Sequence, residues 1–385
     1  MRWSRNEQFP MANQRLVFLD NIRWTMVILV LTMHGSDTYS PFGNWYYTDR
    51  RLESPFSNIC FAVYQSFLQA FFMGLLFFVA GYFTVPSLER KVVTQYMRDR
   101  FVRLGIPTLL YMFVIGPVTQ YYLSHTWGSG GFGHQWLTHL RDGEWLSESG
   151  PMWFCAVLFC LSIFYAALHL VQPEPPRRIE RLPTSKAFGG FLAIMAASTF
   201  LVRVVVPDNV AVLNVHLGDC PQYVLMFIAG TWAYRGNWLD RLRGRFVQYW
   251  ATATLGAAVP LLVLLILLRP SMGNDTQPYN GGFNWISAIK SLWEALVCMG
   301  MSLTLISLYR QRFDRQGRFS RFLSDNAFAV YLLHPPILIT LALMLRPLVV
   351  PPVVKAALLS LAACLATFVL AATVFRRLPL LRRVL

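Results

Sequence analysis

The stretch ICFAVYQSFLQAFFMGLLFFVAGYFTV, residues 59–85, decides the fold. It contains no Asp, Glu, Lys or Arg. As a helix rising 1.5 Å per residue it is about 40 Å long, more than the roughly 30 Å of a bilayer's hydrocarbon core. Nine further apolar stretches of near-spanning length accompany it, at about 16–33, 101–123, 151–171, 187–206, 218–234, 247–268, 283–308, 325–345 and 349–375. The composition agrees. Of 385 residues, 55% are hydrophobic and 14% charged, against about 45–50% and 25% in a soluble domain. Mean hydropathy is +0.43, and 29 Phe and 12 Trp need more interior than a soluble fold of this size has. A disordered chain, a secreted disulfide scaffold and an ordinary cytosolic enzyme are excluded. The expected fold is all-α: a polytopic transmembrane bundle of about ten spans, with residues 1–385 forming one membrane domain.

A net charge of +15 is compatible with nucleic-acid binding, but its distribution points to topology. With the N-terminus inside, and with Arg103, Arg203 and Lys355 near span ends counted in the adjoining loops, the loops on that side hold 25 of the 34 Lys and Arg and the opposite loops hold 7, while Arg23 and Lys290 lie within spans. This bias is what the positive-inside rule requires. It predicts cytoplasmic N- and C-termini and no nucleic-acid partner. It also rescues the sixth span, 218–234, which is short and begins beside Asp219. Without that crossing, the Arg-rich loops 235–246 and 309–324 would face outward. The first span carries Asp20, Asn21 and Arg23 in its core, and no small-residue cleavage site follows, so it is not read as a cleavable signal peptide. The six Cys are scattered, with no Cys/His spacing for a metal, so no metal is expected. Cys60 and Cys220 could both lie near the outer face, but isolated apolar cysteine is the ordinary reading.

Ionisable groups inside spans are costly and often face a cavity or a partner. In the first helix Arg23 and His34 are eleven residues apart, which puts them on one face and about 16 Å apart along the axis. Asp20, three residues before Arg23, can pair with it structurally, and Asp37, one turn beyond His34, can orient the imidazole. Arg100 and Arg103 open the third helix as same-face neighbours. They serve equally as positive-inside anchors or as two guanidinium forks for phosphate. Lys290 and Glu294 form an i,i+4 pair that reads as structural, and His334 before Pro335 and Pro336 implies a broken helix with a packing histidine. His125, His134 and His139 of an outer loop fit no metal pattern. The arrangement is asymmetric, with phosphate-binding Arg inside and a titratable His near the outside. A cytosolic phosphorylated donor could therefore meet an external acceptor.

Five fragments in order carry a resemblance. FLDNIRWTMVILVLTMH (18–34), FFVAGYF (77–83, with Ala80 where Ser is usual), RFVRLGIP (100–107), GPMWF (150–154) and NAFAVYLLHPP (326–336) resemble the motifs of the acyltransferase-3 family of integral membrane acyltransferases. Within the family, the sequence looks most like the branch that includes periplasmic-glucan succinyltransferases. The resemblance implies an acyl-CoA-dependent O-acyltransferase of the bacterial cytoplasmic membrane. Such an enzyme moves acetyl or succinyl from cytosolic acetyl-CoA or succinyl-CoA to a hydroxyl of an extracytoplasmic glycan or related acceptor. Carried over by motif, His34 is the catalytic base, Arg23 its companion, and Arg100 and Arg103 the ligands of the CoA phosphates. Ser36 points to a different face from His34, so direct transfer is expected rather than an acyl-enzyme. The competing class is a secondary transporter of a small solute or glycan precursor, against which stands the absence of an inverted repeat. A non-catalytic lipid or glycan receptor is a third class.

Overall fold

The computed structural model describes residues 16–43, 45–123, 131–143, 149–172, 182–212, 214–242, 244–268 and 277–374. The expected basic termini, most of the linker 172–186, Arg243, Arg269 and His125 lie outside the described residues. Among the described residues ten helices make the bundle. They are α1 (Val17–Asp37), α2 (Pro55–Glu89), α3 (Val93–Tyr121), α4 (Gly150–Val171), α5 (Ser185–Val205), α6 (Cys220–Arg235), α7 (Arg245–Leu268), α8 (Trp285–Arg312), α9 (Arg318–Met344) and α10 (Pro352–Thr373). Nine are long and apolar enough to cross a membrane. The tenth, α6, has only 16 residues, yet it joins the same two ends as the others. Asp219 at its start meets Arg203 at the end of α5, and Asp240 beyond its end pairs with Arg310 at the end of α8. Among the described residues the strands amount to one two-residue hairpin, Ala211–Val212 with Val215–His216.

The central rod is α2. Ser54 caps it by accepting the Ser57 amide at 3.2 Å, and most of its residues from Leu68 to Leu88 are buried. Its tightest partner is α6. A Cβ on Gly81 would lie 2.1 Å from the Phe227 carbonyl oxygen, and one on Gly230 would lie 2.1 Å from the Phe78 carbonyl oxygen. Each helix therefore offers a glycine to the other's backbone, a close approach that only small residues allow. The outer helices expose large apolar side chains such as Val171, Val205, Leu267 and Leu361, as lipid-facing surfaces do. The first helix packs on the last two, with Gly35 of α1 against Ser360 of α10. At its other end Asn21 donates to the Phe313 and Arg315 carbonyls at 2.6 and 3.2 Å, fixing the turn between α8 and α9.

Two expectations need correction. The helix at His334-Pro335-Pro336 is not broken, because α9 runs through both prolines. Pro335 has no N–H for the Tyr331 carbonyl four residues back, and His334 Nδ1 takes that carbonyl at 2.8 Å instead. The side chain replaces the missing backbone donor, so the helix continues in an apolar medium. The assumed geometry of the third helix also differs, since Phe101–Gly105 and Tyr111–Ile115 are π-helical turns. Wider turns change which residues share a face. Arg100 is half-buried while Arg103 is exposed. All six cysteines are free thiols.

Candidate active site

Helix α1 ends at Asp37, four residues beyond the expected limit, so His34 and Asp37 lie in its last turn at i,i+3 spacing. That spacing brings His34 Nδ1 to 3.1 Å from Asp37 Oδ2. A carboxylate only accepts, so Nδ1 carries a proton, which in the neutral ring leaves the lone pair on Nε2. The other carboxylate oxygen, Oδ1, accepts from Gln65 Nε2 of α2 at 2.9 Å. Gln65 Oε1 in turn accepts from the Ser40 hydroxyl at 3.1 Å. The imidazole is thus oriented by a carboxylate that is itself oriented from a second helix.

Two rings lie parallel to His34. Trp45, from the loop between α1 and α2, stacks on it with centroids 3.9 Å apart and planes 14° apart. His334 of α9 lies 5.3 Å away at 9°. His334 is fully buried, and its Nε2 has no hydrogen-bond partner among the described residues. Neither Trp45 nor Gln65 carries a mark in the sequence, and for His334 the sequence favours a packing residue without fixing its role. Nothing local in a loop tryptophan marks it, but the His-Pro pair does carry a signal. A proline frees the carbonyl four residues back, and a histidine just before the proline stands three residues from that carbonyl.

The guanidinium groups gather at the opposite end. Arg100 Nη2 donates to Thr84 Oγ1 at 3.4 Å, and its guanidinium lies over Tyr96. Arg23 pairs with Asp20 at 3.2 Å and lies 4.4 Å over the Phe83 ring. Arg23 and Arg100 therefore approach adjacent residues of α2, and Arg103 is exposed nearby in sequence on the first π turn. Arg23 is brought to Arg100's end of α2 and not to His34. Gln65, at the imidazole, and Thr84, at Arg100, are 19 residues apart on one helix, about 28 Å along its axis. One rod holds the two groups of charged residues at opposite ends.

Lys290 and Glu294 belong elsewhere. Glu294 accepts from Arg203 at 2.6 Å, Lys290 reaches Asp208 at 2.6 Å, and Asp219 completes a network around the buried Arg203. Burial pushes the Asp208 carboxyl up, but the Lys290 ammonium and the Arg203 guanidinium outweigh it and hold Asp208 below the usual carboxylate range. These charges tie the 206–219 connection to α8. Gln69, one turn along α2 from Gln65, reaches Asp219 at 3.4 Å. Among the described residues no cluster of three or more His, Cys, Asp or Glu stands at metal-holding distance.

A helical membrane bundle with a carboxylate-oriented imidazole at one end and guanidinium groups at the other defines a class: a multi-pass protein equipped for proton transfer and anion binding. The model of the acyltransferase-3 family, described as an acyltransferase domain, matches residues 16–376. The chain belongs to that family and is an integral membrane acyltransferase. Among its relatives are the glucans biosynthesis proteins C of Salmonella gallinarum (strain 287/91 / NCTC 13346) and Salmonella heidelberg (strain SL476). Each is 23% identical, over 343 and 344 residues respectively, covering 84% of this chain and 82% of the relative. No solved structure matches the chain.

Proposed function

We propose that the protein moves an acyl group, acetyl or succinyl, from cytosolic acyl-CoA to a hydroxyl of an extracytoplasmic glycan or related acceptor, in a bacterial cytoplasmic membrane. The observation that carries this reading is the His34–Asp37 pair, held from α2 by Gln65, with Arg100 at the far end of the same helix. The loops at the Arg100 end hold most of the basic residues, which favours the cytosolic side for that end and for both termini. Relatives named for glucan biosynthesis favour a glycan acceptor.

The chemistry follows from the side chains. Arg100 and Arg103, with Arg23 across α2, bind the phosphates of the nucleotide by charge-assisted hydrogen bonds. The thioester of the long pantetheine arm then reaches the far end of the bundle. There His34 Nε2 takes the proton of the acceptor hydroxyl as its oxygen attacks the thioester carbon. The C–S bond breaks, and His34 returns the proton to the sulfur. The products are an ester and free CoA. Asp37 holds the ring and stabilises its positive charge in between. Among the described residues no Ser or Cys side chain is hydrogen-bonded to His34, which favours direct transfer over an acyl-enzyme.

The test uses purified protein in detergent with acetyl-CoA or succinyl-CoA and a glucan acceptor. Acyl-CoA-dependent release of free CoA is expected, with a shift of one acyl unit in the glycan mass spectrum. Arg100→Ala should raise KM for acyl-CoA about tenfold or more with a smaller change in kcat. An absence of turnover, together with solute flux in proteoliposomes, would replace this reading with a transporter.

A further inference from the structure

The site holds a hydrogen-bond donor that the protein itself leaves unused. Trp45 Nε1 is buried and has no partner among the described residues. An indole nitrogen can only donate, and buried donors without partners are rare and ask for a cause. The ring that carries this donor is stacked on the base, with centroids 3.9 Å apart and planes 14° apart.

We infer that the Trp45 N–H is the donor that receives the acyl carbonyl oxygen as negative charge develops there, a catalytic role that rests on the acyl-transfer reading above. Hydrogen bonds to both rings are made in the ring planes. Base and donor therefore act on two levels no more than 3.9 Å apart. A hydroxyl oxygen poised on a carbonyl carbon spans about 3–3.5 Å, so the two levels suit the two reacting groups. The hydroxyl lies in the imidazole plane and the carbonyl oxygen in the indole plane. As the new C–O bond forms, the hydroxyl proton passes to His34 Nε2 and the carbonyl π pair moves onto the oxygen held by Trp45. Collapse re-forms the carbonyl, breaks the C–S bond and returns the proton from His34 to sulfur.

A donor of this kind must be fixed before the reaction, and Trp45 is. The next residue, Tyr46, accepts a hydrogen bond from the Tyr111 hydroxyl at 3.1 Å. The Asp49 amide donates to the Thr38 carbonyl at 2.7 Å. The Asp49 carboxylate accepts from Nε and Nη2 of Arg51 at 2.7 and 2.8 Å and from Lys355 of α10 at 3.1 Å. The loop is clamped on both sides of the indole. One face of that indole is already covered by His34, which leaves its N–H edge as the unused recognition element.

The experiment replaces the Trp45 indole by benzothiophene, introduced as an unnatural amino acid, so that sulfur replaces N–H and the stacked ring is kept. Trp45→Phe serves as a second variant. Steady-state kinetics are measured on the purified full-length protein with acyl-CoA and glucan. The expected result is a fall in kcat of about 10²–10³-fold, with KM for acyl-CoA within about threefold and an unshifted pH–rate midpoint. A benzothiophene variant that keeps kcat within threefold overturns the inference, even if it changes KM for the acceptor. A lowered kcat with a moved pH midpoint also overturns it, because Trp45 would then act only through His34. Wild-type protein that releases no CoA from acyl-CoA removes the acyl-transfer reading, and the inference with it, whereas a fully active wild type beside a fully active variant removes the inference alone.

Discussion

His34 has one ring nitrogen committed to Asp37, and its usefulness as a base depends on that commitment. Asp37→Asn tests it. An asparagine can turn its amide N–H toward Nδ1, which would move the ring proton to Nε2 and fill the lone pair that must accept the substrate proton. Positioned acid–base groups contribute about 10²–10⁴-fold. Both Asp37→Asn and His34→Ala should therefore lower kcat within that range while KM for acyl-CoA stays near wild type. Steady-state kinetics on folded protein check this, and a kcat within threefold of wild type in either variant would detach that residue from the chemistry. The pair was legible in the sequence because both residues lie on one helix three positions apart. His334 was not, because its approach to His34 joins segments 300 residues apart in the chain.

At the level of the helices, substitutions in α9 and α2 should behave in opposite ways. Pro335→Ala restores an N–H that can bond the Tyr331 carbonyl, so the helix no longer needs His334 as its donor. Thermal stability should be unchanged or higher, while activity should fall as the His334 ring loses its fixed orientation beside His34. Melting curves read beside CoA-release rates decide this, and a variant both stable and fully active would remove His334's orientation from the account. In α2, Gly81→Ala drives a Cβ into the Phe227 carbonyl oxygen at 2.1 Å, where backbone cannot yield as a side chain can. Overpacking of this kind costs about 1–3 kcal/mol. Gly256→Ala in α7, whose Cβ would meet nothing within 4 Å, is the matched control. A lower melting temperature is expected for Gly81→Ala alone, and equal values for the two would show that the crossing is looser than described. Most helices were readable from uninterrupted apolar runs such as 59–85, and α6 from the charge count that required a crossing. The π turns of α3 were not readable, because hydrophobic periodicity is judged against 3.6 residues per turn and a local widening leaves no residue-type mark.

Across the whole molecule, the loop that carries Trp45 is bound to the last helical hairpin. Lys355 and Arg51 converge on Asp49, and both also donate to the Arg346 carbonyl. The hydrogen bonds from Arg51 hold the Asp49 carboxyl well below the usual carboxylate range, with Lys355 adding to the effect against the opposing influence of burial. A depressed carboxylate stabilises the fold fully above its unfolded value of about 3.9, and that contribution is lost as pH falls below it. Hydrogen–deuterium exchange over residues 38–54 should therefore be slow from neutral pH down to about pH 4, after correction for the intrinsic rate, and rise below that. Asp49→Asn should exchange quickly already at pH 7. An acid profile identical in the two proteins would exclude the carboxylate as the clasp. None of this was legible from sequence, since Asp49 and Lys355 are 306 residues apart and neither belongs to a recognisable motif. The clasp also bears on biogenesis. In the order of synthesis His34 of α1 emerges well before Lys355 of α10. Until α10 enters the bilayer, the nascent chain holds its imidazole beside a loop that Lys355 has not yet anchored, so the enzyme should stay silent while α10 is still outside.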